Sequence, residues 1–208
     1  MHGVMLVTGG KKMSQKLNNR YAKRPAKVRG DNGLTVGDWF PTMMVALFRG
    51  AHGQSQGGIT GTTDYGAYSI VVAGTYKDVD DDQGDTIYYS GPGSQTNKDP
   101  NNLANRDAVG YLQRSVTTRN PVRVLRSAKS SSSSAHAPSV GLRYDGLYHV
   151  VRQEQPFKQN GQGGLYTRYV LQRLPGQESL ASIQARSPSP QQVADYHRIW
   201  DLWPIRED

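Results

Sequence analysis

Apolar positions in this chain fall in short runs, and few of the runs keep a helical period. Tyr68 to Ala73 is a compact apolar stretch suited to a buried strand. The segments Pro121 to Arg126, Leu147 to Val151 and Tyr166 to Leu174 show the alternation or β-branching of half-buried strands. Leu34 to Phe48 alternates poorly but is rich in β-formers and aromatics, and it is assigned to the same sheet. Helical signals are fewer. Asn101 to Gln113 is the best helix candidate within the body. Near the C-terminus, Ser187-Pro188-Ser189-Pro190 opens a second helix, with Val193, Tyr196, Ile199, Trp200 and Trp203 on one stripe. That stripe fits a helix docked on the body. The run Ser130 to Ser134 reads as a low-complexity loop.

The fold class that follows is α+β and β-dominated: a curled sheet or β-barrel with a few peripheral helices. Composition agrees. The chain has 208 residues, 36% of them hydrophobic, with 23 Gly and 11 Pro, which suits one domain of short strands and many turns. No cysteine is present, so disulfides and thiolate zinc sites are excluded. The apolar stretch Val4 to Val7 is too short for a signal peptide or a membrane span, and a soluble, non-secreted protein without membrane contact is expected.

Charge divides the chain further. Of 25 basic residues, eight lie between Lys11 and Arg29, where there is no acid, and the remaining 17 match the 17 acidic residues of the body. Residues 1–33 are therefore expected to form a flexible basic arm, 34–177 the domain, and 178–208 an extension carrying the docking helix. The arm suits phosphate contact or a nuclear import signal. Within the body, Arg106 to Arg173 holds eleven basic residues against Asp107, Asp145 and Glu154, whereas Asp78 to Asp85 holds five aspartates. A basic face and an acidic loop are implied.

Two motifs carry more specific information. Asp64-Tyr65-Gly66-Ala67-Tyr68-Ser69 leads into Ala73-Gly74-Thr75-Tyr76, and Arg143-Tyr144-Asp145-Gly146 follows later. Together with Tyr88-Tyr89-Ser90-Gly91-Pro92-Gly93 they resemble the SRA-YDG (SET- and RING-finger-associated) family, whose PUA-like barrel reads modified cytosine in DNA by flipping the base out of the helix. The resemblance implies that Tyr76 and Tyr89 stack on the two faces of the base. An aspartate from the intervening loop would accept a hydrogen bond from the cytosine amino group. That loop is one residue longer than usual, so Asp80 is the first choice, with Asp78 and Asp81 as alternatives. Ala73, Gly74 and Thr75 would offer backbone contacts, and Ser90 and Gly91 the opposite wall. Thr75 and Pro92 depart from the family pattern.

The physics of such a pocket is coherent. A flipped base loses stacking and pairing worth a few kcal/mol. Aromatic stacking returns about 1 to 3 kcal/mol per contact but does not tell bases apart. A carboxylate does, because facing a thymine carbonyl in place of an amino donor costs roughly 1.5 to 3 kcal/mol. Burying one methyl group is worth about 0.8 kcal/mol, a smaller signal.

The resemblance also implies a minor-groove finger at Gly50 to Gly61, with Ala51 in the inserting position and His52 and Gln54 beside it; Ser55 and Gln56 are further candidates. A second finger that reads the opposite strand is not visible in the short loop Ser94 to Asp99, so a context-tolerant reader is expected. Arg123, Arg126, Lys129 and Arg143 are the phosphate-contact candidates, since they lie in the basic half of the body. Tyr144, Asp145 and Gly146 are assigned to the fold and not to DNA contact.

Catalysis is not expected. A zinc deaminase needs cysteine ligands, the five histidines form no local cluster, and the aspartate run fails the calcium-loop pattern because Tyr89 falls where a glutamate is needed. No metal and no cofactor is implied. The sequence reading is a nuclear protein that binds double-stranded DNA containing modified cytosine, 5-methylcytosine first. The rival readings are a PUA-like RNA-binding module and a protein-interaction module using Trp200 and Trp203.

Overall fold

The computed structural model describes residues 3–9, 12–74, 78–103, 107–128, 134–155 and 157–201. Thr75, Tyr76, Lys129 and Trp203, all singled out by the sequence, lie outside the described residues.

A single curled sheet organises the body. Its strands are β3 (Trp39–Phe40), β4 (Ile59–Thr62), β5 (Gly66–Val72), β6 (Asp81–Asp82), β7 (Thr86–Ser90), β8 (Val122–Ser127), β9 (Leu142–Gln153) and β12 (Arg168–Arg173). The spatial order is β4-β5-β8-β9-β12-β7-β6, with β3 on the end of β9. Every pairing is antiparallel except that of β5 with β8. The parallel step requires a crossover, which α2 (Asp107–Thr118) provides. The sheet does not close: β4 and β6 remain edges, so the curled sheet is observed and the barrel is not.

Both faces of the sheet are covered, as strand periodicity demands. In β5, Ile70 and Val72 enter one core with Leu112, Val124, Tyr148 and Leu171, whereas Val71 enters another with Phe40, Phe48, Leu125 and Leu142. The first core is sealed by α2, starting later than the sequence suggested. The second is sealed by α1 (Met43–Phe48), whose last four residues are buried and whose N-cap Thr42 accepts from the Val45 amide. A strand was expected through this stretch; only Trp39–Phe40 is extended, and the cap at Thr42 diverts the rest into helix.

The described N-terminal residues are packed on the body. A hairpin of β1 (Val4–Gly9) and β2 (Lys12–Leu17) packs on α1 through buried Val4, with Leu17 beside the same core. Ala26 is buried as well. Its anchor is Arg123, which donates to the carbonyls of Ala26, Val28, Gly30 and Ala51. A further hairpin joins β10 (Lys158–Gln159) to β11 (Leu165–Tyr166). The C-terminal extension holds α3 (Leu180–Arg186) ahead of α4 (Pro190–Asp201). The expected docking helix α4 meets the body edge-on through Tyr196, whose ring lies 6.4 Å from that of Trp39, and within the helix Tyr196 also stands edge-on to Trp200 at 5.7 Å.

Candidate nucleic-acid interface

The acidic loop places one aspartate apart from the others. Asp78 and Asp81 are exposed, and Asp81 accepts from the Gln83 side chain. Asp80 turns inward behind the buried Val79. Its Oδ1 accepts twice from Ser90, from the amide at 2.7 Å and from the hydroxyl at 2.6 Å. Its Oδ2 is buried and has no hydrogen-bond partner among the described residues. Burial pushes the Asp80 carboxyl up to about 7, against the lowering effect of the Ser90 bonds and of Arg168. A buried acceptor without a partner among the described residues is unusual.

Tyr89 crosses the curl of the sheet. From β7 its ring enters the first core, and its hydroxyl reaches the carbonyls of Gly58 at 3.2 Å and Val71 at 3.3 Å. Gly58 permits this approach, since a Cβ there would meet the Tyr89 hydroxyl at 2.6 Å. Ser90 and Gly91 are buried, while Ala73 and Gly74 are part-exposed at the end of β5. Among the described members of the expected pocket, Tyr89 links β7 to the end of β5 through its bond to Val71, and Asp80 is bonded to Ser90.

The finger assignment needs correction at two of its three positions. Ala51 and His52 are fully buried, so neither can insert into DNA. Ala51 packs in the second core. His52 instead holds the loop: one ring nitrogen, Nε2, lies 3.0 Å from the Gly57 carbonyl and the other, Nδ1, 2.9 Å from the Ser69 hydroxyl. A carbonyl only accepts, so Nε2 carries the proton and Nδ1 accepts from Ser69. Burial, aided by Arg123, lowers the His52 pKa to about 4 although the Gly57 bond opposes it, which keeps the ring neutral at physiological pH. Gln54 is exposed, but its Nε2 donates to the Ile59 carbonyl. Ser55 and Gln56 form the exposed tip.

Three of the four phosphate candidates are also corrected. Arg123, Arg126 and Arg143 are 0%, 0% and 1% exposed. Arg126 donates to Asp82 at 2.7 and 2.8 Å, to Asp145 at 2.8 Å and to the Gly84 carbonyl. Arg143 donates to Asp145 at 2.5 and 2.9 Å and to the Ser187 and His136 carbonyls. Arg126 holds the Asp82 carboxyl below its usual range against the opposing effect of burial. Asp145 therefore joins two guanidiniums at the centre of the Tyr-Asp-Gly motif. A register shift puts it on the inner face, and Gly146, at φ +111°, supplies the backbone turn. The motif is a brace that ties β8, β9, the β6–β7 turn and the C-terminal extension together.

The loop Ser94 to Asp99 is folded back on the body. Asn97 donates to the Leu165 and Asn102 carbonyls, and Asn160 donates to those of Ser94 and Asn97. Sequence reasoning missed Asn160 and His52 as loop holders; their only signal is position, since a single polar residue does not reveal its partner.

A cavity of about 690 Å³ opens beside these elements. It is lined by Ala73, Tyr89, Gly57 and Gly58 on one side and by Met43 and Met44 on another, and it extends to β2 and α4.

Residues 28–177 match the SAD/SRA domain model. A UHRF1-like protein of Cryptococcus neoformans is 35% identical over 162 residues, covering 71% of this chain and 46% of that protein. The H3 lysine-9 specific histone-lysine N-methyltransferase SUVH5 of Arabidopsis thaliana is 36% identical over 158 residues, covering 71% of this chain and 19% of that one. The chain thus spans less than half the length of either. Among solved structures, the SUVH5 SRA complex with methylated CHH DNA aligns with a TM-score of 0.58 at 33% identity, over 74% of this chain and 98% of that one. The modification-dependent restriction endonuclease TagI aligns with a TM-score of 0.59 at 30% identity, over 74% and 54%. With the matched model spanning the sheet, the acidic loop and the Tyr-Asp-Gly brace, the chain belongs to the SAD/SRA domain family.

Proposed function

We propose that this protein binds double-stranded DNA containing modified cytosine and takes the base out of the helix into a pocket between Tyr76 and Tyr89. The observation that carries the reading is Asp80. Ser90 fixes one carboxylate oxygen, and the other is buried with no partner among the described residues, in the loop that joins the two tyrosines. An exocyclic amino group placed there would complete the carboxylate's hydrogen bonding, and a thymine carbonyl would oppose it. The relatives support the same ligand: SUVH5 SRA domains have been solved with methylated and hydroxymethylated DNA. Selection of 5-methylcytosine over cytosine then rests on a methyl group worth about 0.8 kcal/mol, a several-fold preference.

On this reading the chain acts as a reader module that locates modified cytosine. Chromatin in the nucleus is the corresponding place of action. An equilibrium titration of cytosine and 5-methylcytosine duplexes at one stated salt concentration, with wild type and Tyr76→Ala, tests the reading. The preference for the methylated duplex should vanish in the variant; equal binding of both duplexes by the wild type would refute it.

A further inference from the structure

The cavity beside Tyr89 is built partly from elements outside the family domain. Ser14 and Gln15 of β2 form one wall, and Tyr196 and Trp200 of α4 form another. Both elements fall outside residues 28–177. Neither is loosely attached: β1 and β2 are pinned to α1 by Val4 and Leu17, and α4 by the Tyr196–Trp39 contact. The floor between them is apolar, with Met43, Met44 and Leu142, and none of the lining residues is acidic. Lys16, adjacent to Gln15, is exposed and forms no ion pair among the described residues.

We infer that the β1–β2 hairpin and α4 clamp the DNA strand that carries the modified cytosine, Lys16 facing a phosphate and Trp200 packing on the strand's sugar and base edges. The inference rests on the proposed flipped-base reading, which puts the modified nucleotide next to Tyr89. Two features of the groove select a nucleic-acid strand as occupant. It runs on from the Ala73 and Tyr89 end of the β5–β7 seam, so a strand leaving the pocket enters it. Its surface suits a sugar–phosphate strand, with an apolar floor and an aromatic wall for deoxyribose, the exposed finger tip Ser55 and Gln56 on its lining, and exposed Lys16 next in sequence to the lining residue Gln15. Neither wall carries sequence information, so the clamp adds affinity to methylated and unmethylated DNA alike.

The test is fluorescence-anisotropy titration of a duplex with one central 5-methylcytosine and of its unmethylated twin, each over a salt series. Lys16→Ala should weaken both complexes equally and reduce the slope of log affinity against log salt by about 0.9, the release accompanying one phosphate contact. Trp200→Ala should weaken both several-fold with the slope unchanged, and Trp200→Phe should restore most of the loss. The methyl preference should survive in all three variants, whereas Tyr76→Ala should lose the preference and keep the wild-type salt slope. The two readings therefore fail separately. An unaltered salt slope in Lys16→Ala, or tighter binding by Lys16→Ala or Trp200→Ala, would overturn the clamp; the tighter binding would make these elements a cover over the groove.

Discussion

Ser90 binds one oxygen of Asp80 twice, while the other is buried and has no partner among the described residues. The amide and hydroxyl of a single residue thereby fix the carboxyl group in place. Fixing the acceptor in advance matters because ordering it on binding would cost free energy. Ser90→Ala removes the hydroxyl bond and keeps the amide, so it should weaken binding of the methylated duplex by roughly fivefold to tenfold, the equivalent of about 1 to 1.5 kcal/mol. Parallel titration of wild type and variant measures it.

The same carboxyl sets opposite pH dependences for stability and for binding. Burial raises Asp80 to about 7, above the ordinary aspartate value near 3.9, so the folded protein holds a proton that the unfolded chain has lost. Its contribution to stability is present below the unfolded value and is lost as pH rises to about 7. A bound amino donor favours the ionised form, so affinity for the methylated duplex should rise with pH and level off above about 7. Below that point the loss approaches tenfold per pH unit. Titrations between pH 5.5 and 8.5 at fixed salt should show this in wild type and a flat profile in Asp80→Asn.

Asp145 should be a stability residue and not a binding residue. Replacing it with Asn leaves Arg126 and Arg143 buried with reduced compensation, a change expected to cost about 3 to 5 kcal/mol. Urea denaturation should show the loss. Any folded fraction should keep the wild-type salt dependence of DNA binding, because no phosphate contact has been removed.

His52 offers a separate check on the finger loop. It is a positioning residue, holding the Gly57 carbonyl from beneath while Tyr89 holds that of Gly58. His52→Ala should loosen the tip at Ser55 and Gln56 and speed dissociation of the methylated complex. Amide hydrogen exchange at residues 54–57 should quicken in parallel. Because the neutral ring titrates only near pH 4, the effect should be constant between pH 6 and 8.

Much of the sheet was legible because burial imposes a period of two on each strand, and the runs at 68–73, 121–126 and 147–151 all lie in strands or at their ends. Asp80 came from the family resemblance as the first of three aspartates in its loop, and its bonds to Ser90, ten residues on, had no local signal. The buried arginines were not. Arg123 and Arg126 look like a basic strand face, and nothing local shows that the partner of Arg126 is Asp82, 44 residues earlier. Sequence displays charge but not its neutralisation. The N-terminal hairpin had a signal in Val4 to Val7 and Gly9-Gly10, which was read for membrane insertion and not for pairing with residues 12–17. The open edges of the sheet depend on how far it curls, a property of packing across the whole domain.

The most direct measurement compares duplexes that carry 5-methylcytosine, cytosine or thymine opposite guanine at one position, titrated with wild type and Asp80→Asn at fixed salt. A thymine opposite guanine is mispaired and costs less to flip, so a pocket that merely captured loose bases would favour it. The expected order for the wild type is 5-methylcytosine, then cytosine, then thymine, with the thymine discrimination reduced at least tenfold in Asp80→Asn. Wild-type binding of the thymine duplex as tight as that of the 5-methylcytosine duplex would contradict the role given to Asp80 and, with it, the flipped-cytosine pocket.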